Sequence, residues 1–224
     1  MKKSIAVLWC LTVTALFAGC TTTEGSKTIA APKVDAAALP YNGPRTPISV
    51  GKFDNRSSFL RGVFTDNVDR LGGQAQTILV SHLQQSRRFS VLDRTSMSEI
   101  KEEAGLQKKA QNLKGAEFLV TGAVTEFGRK DVGDMGLFGI LGRSKTQVAY
   151  SKVTLNIVNT LTSEVVFSVQ GAGEFSLSEQ QVLGFGSTAG YDSTLNGKVL
   201  DLAIREAVNN LVLGIDSGAW RPSP

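Results

Sequence analysis

Apolar and polar positions along this chain fall into distinct textures. Ile5 to Phe17 form an apolar stretch preceded by Lys2 and Lys3. Residues 21–47 lack a repeating apolar pattern. They carry Thr21, Thr22 and Thr23, an Ala/Pro stretch, and Pro40, Pro44 and Pro47. Such a segment favours extended chain and reads as a tether. Regular structure begins with Ile48-Ser49-Val50, a short strand, and Asn55 to Ser58 make a turn. Val68, Leu71, Ala75, Ile78, Leu79 and Leu83 then recur at three- and four-residue steps. That spacing predicts a helix from Thr65 or Asp66 as N-cap to about Ser86. Gly72 and Gly73 weaken its first half by about 1 kcal/mol each relative to alanine. Phe89 to Leu92 is a strand, and Ser96-Met97-Ser98-Glu99 fits a capping box that opens a second helix to about Ala104.

The second half alternates more regularly. In Glu117 to Glu126, Phe118, Val120, Gly122 and Val124 interleave with Leu119, Thr121 and Ala123. Val153, Leu155 and Ile157 interleave with Lys152, Thr154 and Asn156, the pattern of a half-buried strand. Asn159 to Ser163 turn the chain, and Val165, Phe167 and Val169 form the return strand of a hairpin. Leu195 to Leu213 is a helix whose Val199, Leu202, Ala203, Ile204, Ala207, Val208 and Leu211 face a core, with Gly214 placed as its C-cap. Helices between strands suggest two or three layers of α/β structure.

Two glycine-rich insertions interrupt this order, at about 128–147 and 171–191. The first holds an apolar island, Met135 to Leu141, flanked by Arg129, Lys130, Asp131 and Asp134 on one side and Arg143 and Lys145 on the other. The second has sparse apolar residues: Phe175, Leu177, Val182, Leu183 and Phe185. Neither can build a core alone. They read either as surface loops, unusual at this length, or as β-hairpins that become stable in an oligomer or a membrane. A transmembrane strand needs only about 9–11 residues of alternating texture.

The N-terminal stretch has the order of a secretory signal: a basic start, an apolar run, then small residues. Leu16-Phe17-Ala18-Gly19-Cys20 places a cysteine directly after the small pair. This is a lipobox, with Phe17 where leucine is usual. Residues 1–19 are the predicted signal peptide and Cys20 the predicted lipidation site, its thiol carrying a diacylglycerol. Thr21 follows the cysteine where an aspartate would mark retention at the inner membrane. The expected address is the periplasmic face of an outer membrane.

Removing residues 1–19 leaves 22 basic against 20 acidic side chains, a net +2. This is too small to argue for nucleic acid. Cys10 leaves with the signal, so no intramolecular disulfide is available. His82 is the only histidine. A second histidine and a free thiol are both missing, which excludes His-rich metal sites, a Ser-His-Asp triad and a Cys-His pair. His82 itself is expected on a helix surface. No phosphate or dinucleotide loop follows a strand, and Glu102-Glu103 sit in a charged helical run. The expectation is no enzyme, no metal and no cofactor.

From residue 48 to 220 the chain resembles the CsgG/HfaB family, the curli-type secretion lipoproteins of Gram-negative outer membranes. Ile48 to Asn55, Ser86 to Phe89 with Val91 to Arg94, Gly115 to Gly122, Leu137 to Ile140 with Thr146-Gln147, Val153 to Val158 with Thr162 to Glu164, and Gly190-Tyr191 with Gly214 to Trp220 carry the resemblance in order and spacing.

The resemblance implies an α+β fold: an α/β periplasmic domain with two β-hairpin insertions that form part of an oligomeric transmembrane β-barrel. The domain plan is 1–19 signal peptide, 20–47 lipidated tether and 48–220 CsgG-like domain, with membrane hairpins at about 128–147 and 171–191. Leu137, Phe138, Ile140, Leu141, Phe175, Leu177 and Phe185 are the candidate membrane-hairpin residues. A loop after the first strand would line a pore constriction, and the matching residues are Asn55, Phe59, Phe64 and Asn67. Implied partners are the outer membrane through the lipid, further copies of the chain, a secreted unfolded polypeptide such as a fibre subunit, and periplasmic accessory proteins, with no nucleic acid. A competing reading is a periplasm-facing lipoprotein that binds or activates an enzyme, such as a penicillin-binding protein, without forming a pore.

Overall fold

The computed structural model describes residues 31–59, 69–135, 143–181 and 194–222. Five strands form one mixed sheet: β1 (Thr46–Asn55), β2 (Phe89–Leu92), β3 (Phe118–Met135), β4 (Arg143–Asn159) and β5 (Val165–Gln181), ordered β2-β1-β3-β4-β5. β1 runs parallel to both β2 and β3, whereas β3, β4 and β5 form an antiparallel meander. Parallel neighbours need crossover connections. These are supplied by α1 (Arg70–Gln85), between β1 and β2, and by α2 (Met97–Leu106), between β2 and β3. A third helix, α3 (Thr194–Asp216), follows β5.

The strand alternation decides the layering. Val120, Val124, Val153, Leu155 and Ile157 are buried on one sheet face beneath Leu79 and Leu83 of α1 and Ile204, Val208 and Leu211 of α3. The other face is polar. Lys152 Nζ lies 2.7 Å from Glu126 Oε1, and Lys52 Nζ 2.8 Å from Asp54 Oδ1. An antiparallel sheet tolerates one wetted face, so the expectation narrows to two layers. α2 buries none of its residues, as its charged run predicts. Trp220 closes one end of the core, its ring 5.2 Å from Phe118 edge-on and 5.9 Å from Phe167 stacked.

Several local expectations are revised. β1 extends to Asn55 because Phe53 turns inward and is buried. The N-cap of α1 is Asp69, not Thr65 or Asp66. Its carboxylate accepts from Gly72 N at 2.7 Å and from Asn55 N at 2.7 Å, tying the helix start to the end of β1. A Cβ at Gly72 would strike the Phe53 carbonyl oxygen, so this glycine permits close approach rather than merely weakening the helix.

The Ser96 side chain makes no cap bond. Asp93 Oδ1 instead accepts from Thr95 N at 2.8 Å, Thr95 Oγ1 at 2.7 Å and Ser96 N at 3.2 Å. α3 continues past Gly214, which packs against the Phe167 ring, and the backbone reverses at Gly218 with φ 75°. The segment read as a tether is docked from Val34 onward. Val34 and Ala36 are buried, and Asp35 and Asn209 exchange two hydrogen bonds, of 3.1 and 2.8 Å.

Candidate functional site

The feature that stands apart from the core is a three-stranded arm. The β3–β4 ladder is antiparallel from Phe118↔Asn159 to Met135↔Arg143, with one register shift between Val124 and Glu126. β5 follows β4 to Gln181↔Arg143. Among the described residues, the helix layer ends well before the arm does. Arg129 Nε donates to Asn196 Oδ1 at 2.9 Å near the start of α3, and Lys198 Nζ stands 5.1 Å from the Phe175 ring. From Arg129 to Met135 the strands run on for about 20 Å at ~3.3 Å per residue. β1 leaves this ladder early, since its last pair with β3 is Asn55↔Val124. Among the described residues, β3 beyond Val124 and the outer side of β5 therefore have no strand partner.

The arm coincides with the predicted insertions. Residues 128–135 and 143–147 are the two legs of the first hairpin. Its turn, with Leu137, Phe138, Ile140 and Leu141, lies outside the described residues. The outgoing leg of the second insertion, 171–181, extends the ladder of β4, while residues 182–193, Phe185 included, lie outside the described residues. Phe175 packs against the core on the helix side. Leu177 pairs with Gln147 in the ladder. Gly171 and Gly173 lie directly beneath α3, against backbone atoms of Val199, Ala203 and Ala207. The glycine texture there has a packing cause.

Two of the four proposed constriction residues are described. Asn55 folds the turn after β1: its Nδ2 donates to Phe59 O at 2.8 Å, and its Oδ1 accepts from Ser57 N at 3.1 Å and Ser57 Oγ at 2.6 Å. Phe59 stands 4.6 Å from the Phe127 ring, at the root of the arm. Phe64, Asn67 and the lipidation residue Cys20 lie outside the described residues.

His82 is not on a helix surface. Its side chain is 3% exposed, with Nε2 2.9 Å from Asp201 Oδ1 and Nδ1 3.3 Å from Gln85 Oε1, so it joins α1 to α3. The signal was present in the sequence: positions 75, 79, 82 and 86 fall on one helical stripe. Among the described residues, no group of three His, Cys, Asp or Glu side chains is placed to hold a metal ion. Among them, too, no helix is long and apolar enough to cross a membrane, which says nothing of a β-barrel.

The family model described as "Curli production assembly/transport component CsgG" matches residues 30–222. The chain belongs to the CsgG family. A provisionally named lipoprotein of Neisseria meningitidis serogroup B is 63% identical over 205 residues, covering 92% of each chain. Among solved structures, the PelC dodecamer from Paraburkholderia phytofirmans is similar with a TM-score of 0.36 and 15% identity, covering 81% of this chain and 93% of that one. The LpoB C-terminal domain from Salmonella enterica gives a TM-score of 0.32 and 14% identity, covering 58% of this chain and 85% of that one. At such scores these two likenesses carry no argument of their own. Within the CsgG family, the arm is where the membrane hairpins were expected from the sequence.

Proposed function

We propose that this CsgG-family chain is an outer-membrane lipoprotein, anchored through Cys20 on the periplasmic side, whose copies assemble into a channel for unfolded polypeptide such as fibre subunits. It acts without catalysis or cofactor. One observation carries the reading: the arm projects beyond the helix layer with both its edges unpaired among the described residues. Open edges of long strands invite pairing with another chain, and closure into a barrel removes them. The two edges, β3 and β5, differ from each other. Pairing of the β3 edge of one copy with the β5 side of the next is head-to-tail, and a closing rotation gives a ring.

A second reading, a binding or activating lipoprotein without a pore, draws on the sequence of the arm. In Gly128 to Met135, both sets of alternating positions carry charge: Lys130 and Asp134 in one, Arg129 and Asp131 in the other. A charge facing lipid at mid-depth costs about 2–4 kcal/mol, so these residues must face a lumen or lie below the hydrocarbon. Conductance separates the readings. The lipoprotein extracted in mild detergent and added to a planar bilayer should give stable, uniform steps. A protein that inserts through its lipid yet never conducts overturns the channel.

A further inference from the structure

At the end of the sheet away from the arm, a cleft of roughly 390 Å³ lies between the segment leading into β1 and the residues after α3. Tyr41, Arg45, Arg88, Glu117, Trp220 and Arg221 line it, with prolines at its rim. Arg88 is the built part. Its side chain is 6% exposed, and its Nε and Nη2 donate to the two Asp216 oxygens at 3.1 and 2.9 Å. The guanidinium lies 3.9 Å from the centre of the Tyr41 ring. Its third nitrogen, Nη1, is buried with no hydrogen-bond partner.

Arg88 is therefore a fixed, buried cation behind the cleft, paired with Asp216 and with its Nη1 out of reach of an occupant. Arg45 and Arg221 are exposed at the same cleft and make no ion pair among the described residues. Against these three guanidinia stand Glu117 in the lining and Asp216, already engaged by Arg88.

We propose that this cleft binds the free carboxylate end of a polypeptide. Arginine recognises carboxylates through paired N–H donors. Arg45 and Arg221 would hold the carboxylate, with the Arg88–Asp216 pair fixed behind them. The terminal side chain would lie on the apolar lining made by Ile215, Pro44, Pro47 and the small exposed edge of Trp220. That lining is the reason for choosing a peptide end over a bare inorganic anion, which would leave it unused. The proposal stands independently of the channel, because the cleft lies wholly within one chain.

Trp220 is the only tryptophan after Cys20, so its fluorescence reports on this cleft alone. The mature lipoprotein in detergent micelles is titrated with an acetylated Ala-Val-Leu tripeptide bearing a free carboxylate, with the same tripeptide as its amide, and with inorganic phosphate. The free acid should give a saturable change. The amide should bind roughly tenfold more weakly or worse, as expected for loss of a charge-assisted hydrogen bond. Arg45→Gln combined with Arg221→Gln should produce the same loss without moving the unfolding midpoint, and Glu117→Gln should tighten binding. Equal binding of acid and amide, no saturable change, or phosphate matching the free acid would each overturn the proposal.

Discussion

Adding a single methyl group to Gly171 tests how α3 is seated on the sheet. A Cβ at this position would meet the Ala203 carbonyl oxygen and the Ala207 amide nitrogen. Both are backbone atoms inside a helix, so no side chain can rotate away. The helix must lift from β5, loosening a layer that buries Leu200, Ala203, Ile204, Ala207 and Leu211. Overpacking costs about 1–3 kcal/mol, and a rigid obstacle places Gly171→Ala near the upper end. For a chain of this size each kcal/mol lowers the midpoint by about 2–4 °C, so the expected fall is about 6–12 °C.

Gly105→Ala is the matched control. It adds the same methyl in α2, where nothing lies within 4 Å. It should stabilise the protein by about 0.5–1 kcal/mol through helix propensity. Thermal unfolding followed by far-ultraviolet circular dichroism reads both variants. A Gly171→Ala midpoint within about 2 °C of the parent, less than 1 kcal/mol at this size, would refute the close approach of β5 and α3.

Other expectations follow from the same structure. Trp220→Ala removes a 5% exposed ring from contact with Phe118 and Phe167. It should cost about 3–5 kcal/mol in urea unfolding, and a loss below 1 kcal/mol would mean the ring is not part of the core. Hydrogen bonds from Thr95 and then Ser96 hold the Asp93 carboxyl at about 2, below its ordinary 3.8. Because the folded value is depressed, its stabilising contribution is complete above 3.8 and is lost as pH falls through about 2. A titration followed by NMR should show that midpoint, with Thr95→Val raising it; a parent midpoint near 3.8 contradicts the turn. On the proposed anchoring, Cys20→Ser should move the protein from the membrane fraction to the soluble fraction, and retention after cleavage would show a different principal anchor.

Much of the fold was legible because burial here follows simple periods. The alternation of Val153, Leu155 and Ile157 named the core face of β4, and the stripe along α3 named its buried side. Glycines were harder to read. Gly171 and Gly173 have the texture of a loop, yet they mark the place where a helix backbone touches a strand. Gly72 likewise marks an approach to β1. A missing side chain looks the same in sequence whether it frees a turn or admits a neighbour.

Polar tertiary contacts were equally hidden. Position 82 lies on the buried stripe of α1, but its partner Asp201 is 119 residues away. Asp69 supplied the N-cap in place of two plausible alternatives, because it also holds Asn55 N at the end of β1. The arm was legible as a departure in texture. The shared ladder of β3, β4 and β5 was not, since pairing across strands leaves no periodic mark within any one of them.

Edge-to-edge pairing of arms is tested most directly by disulfide trapping with Glu126→Cys on β3 and Glu174→Cys on β5. Within one chain these strands flank β4 and lie about 10 Å apart at ~4.8 Å per strand, too far for a disulfide. Cys20 is the only other mature thiol and is expected to be lipidated. Oxidation of the double variant in outer membranes should give a ladder of covalent oligomers, with neither single variant crosslinking. Single variants that crosslink as dimers would contradict head-to-tail assembly through the arm.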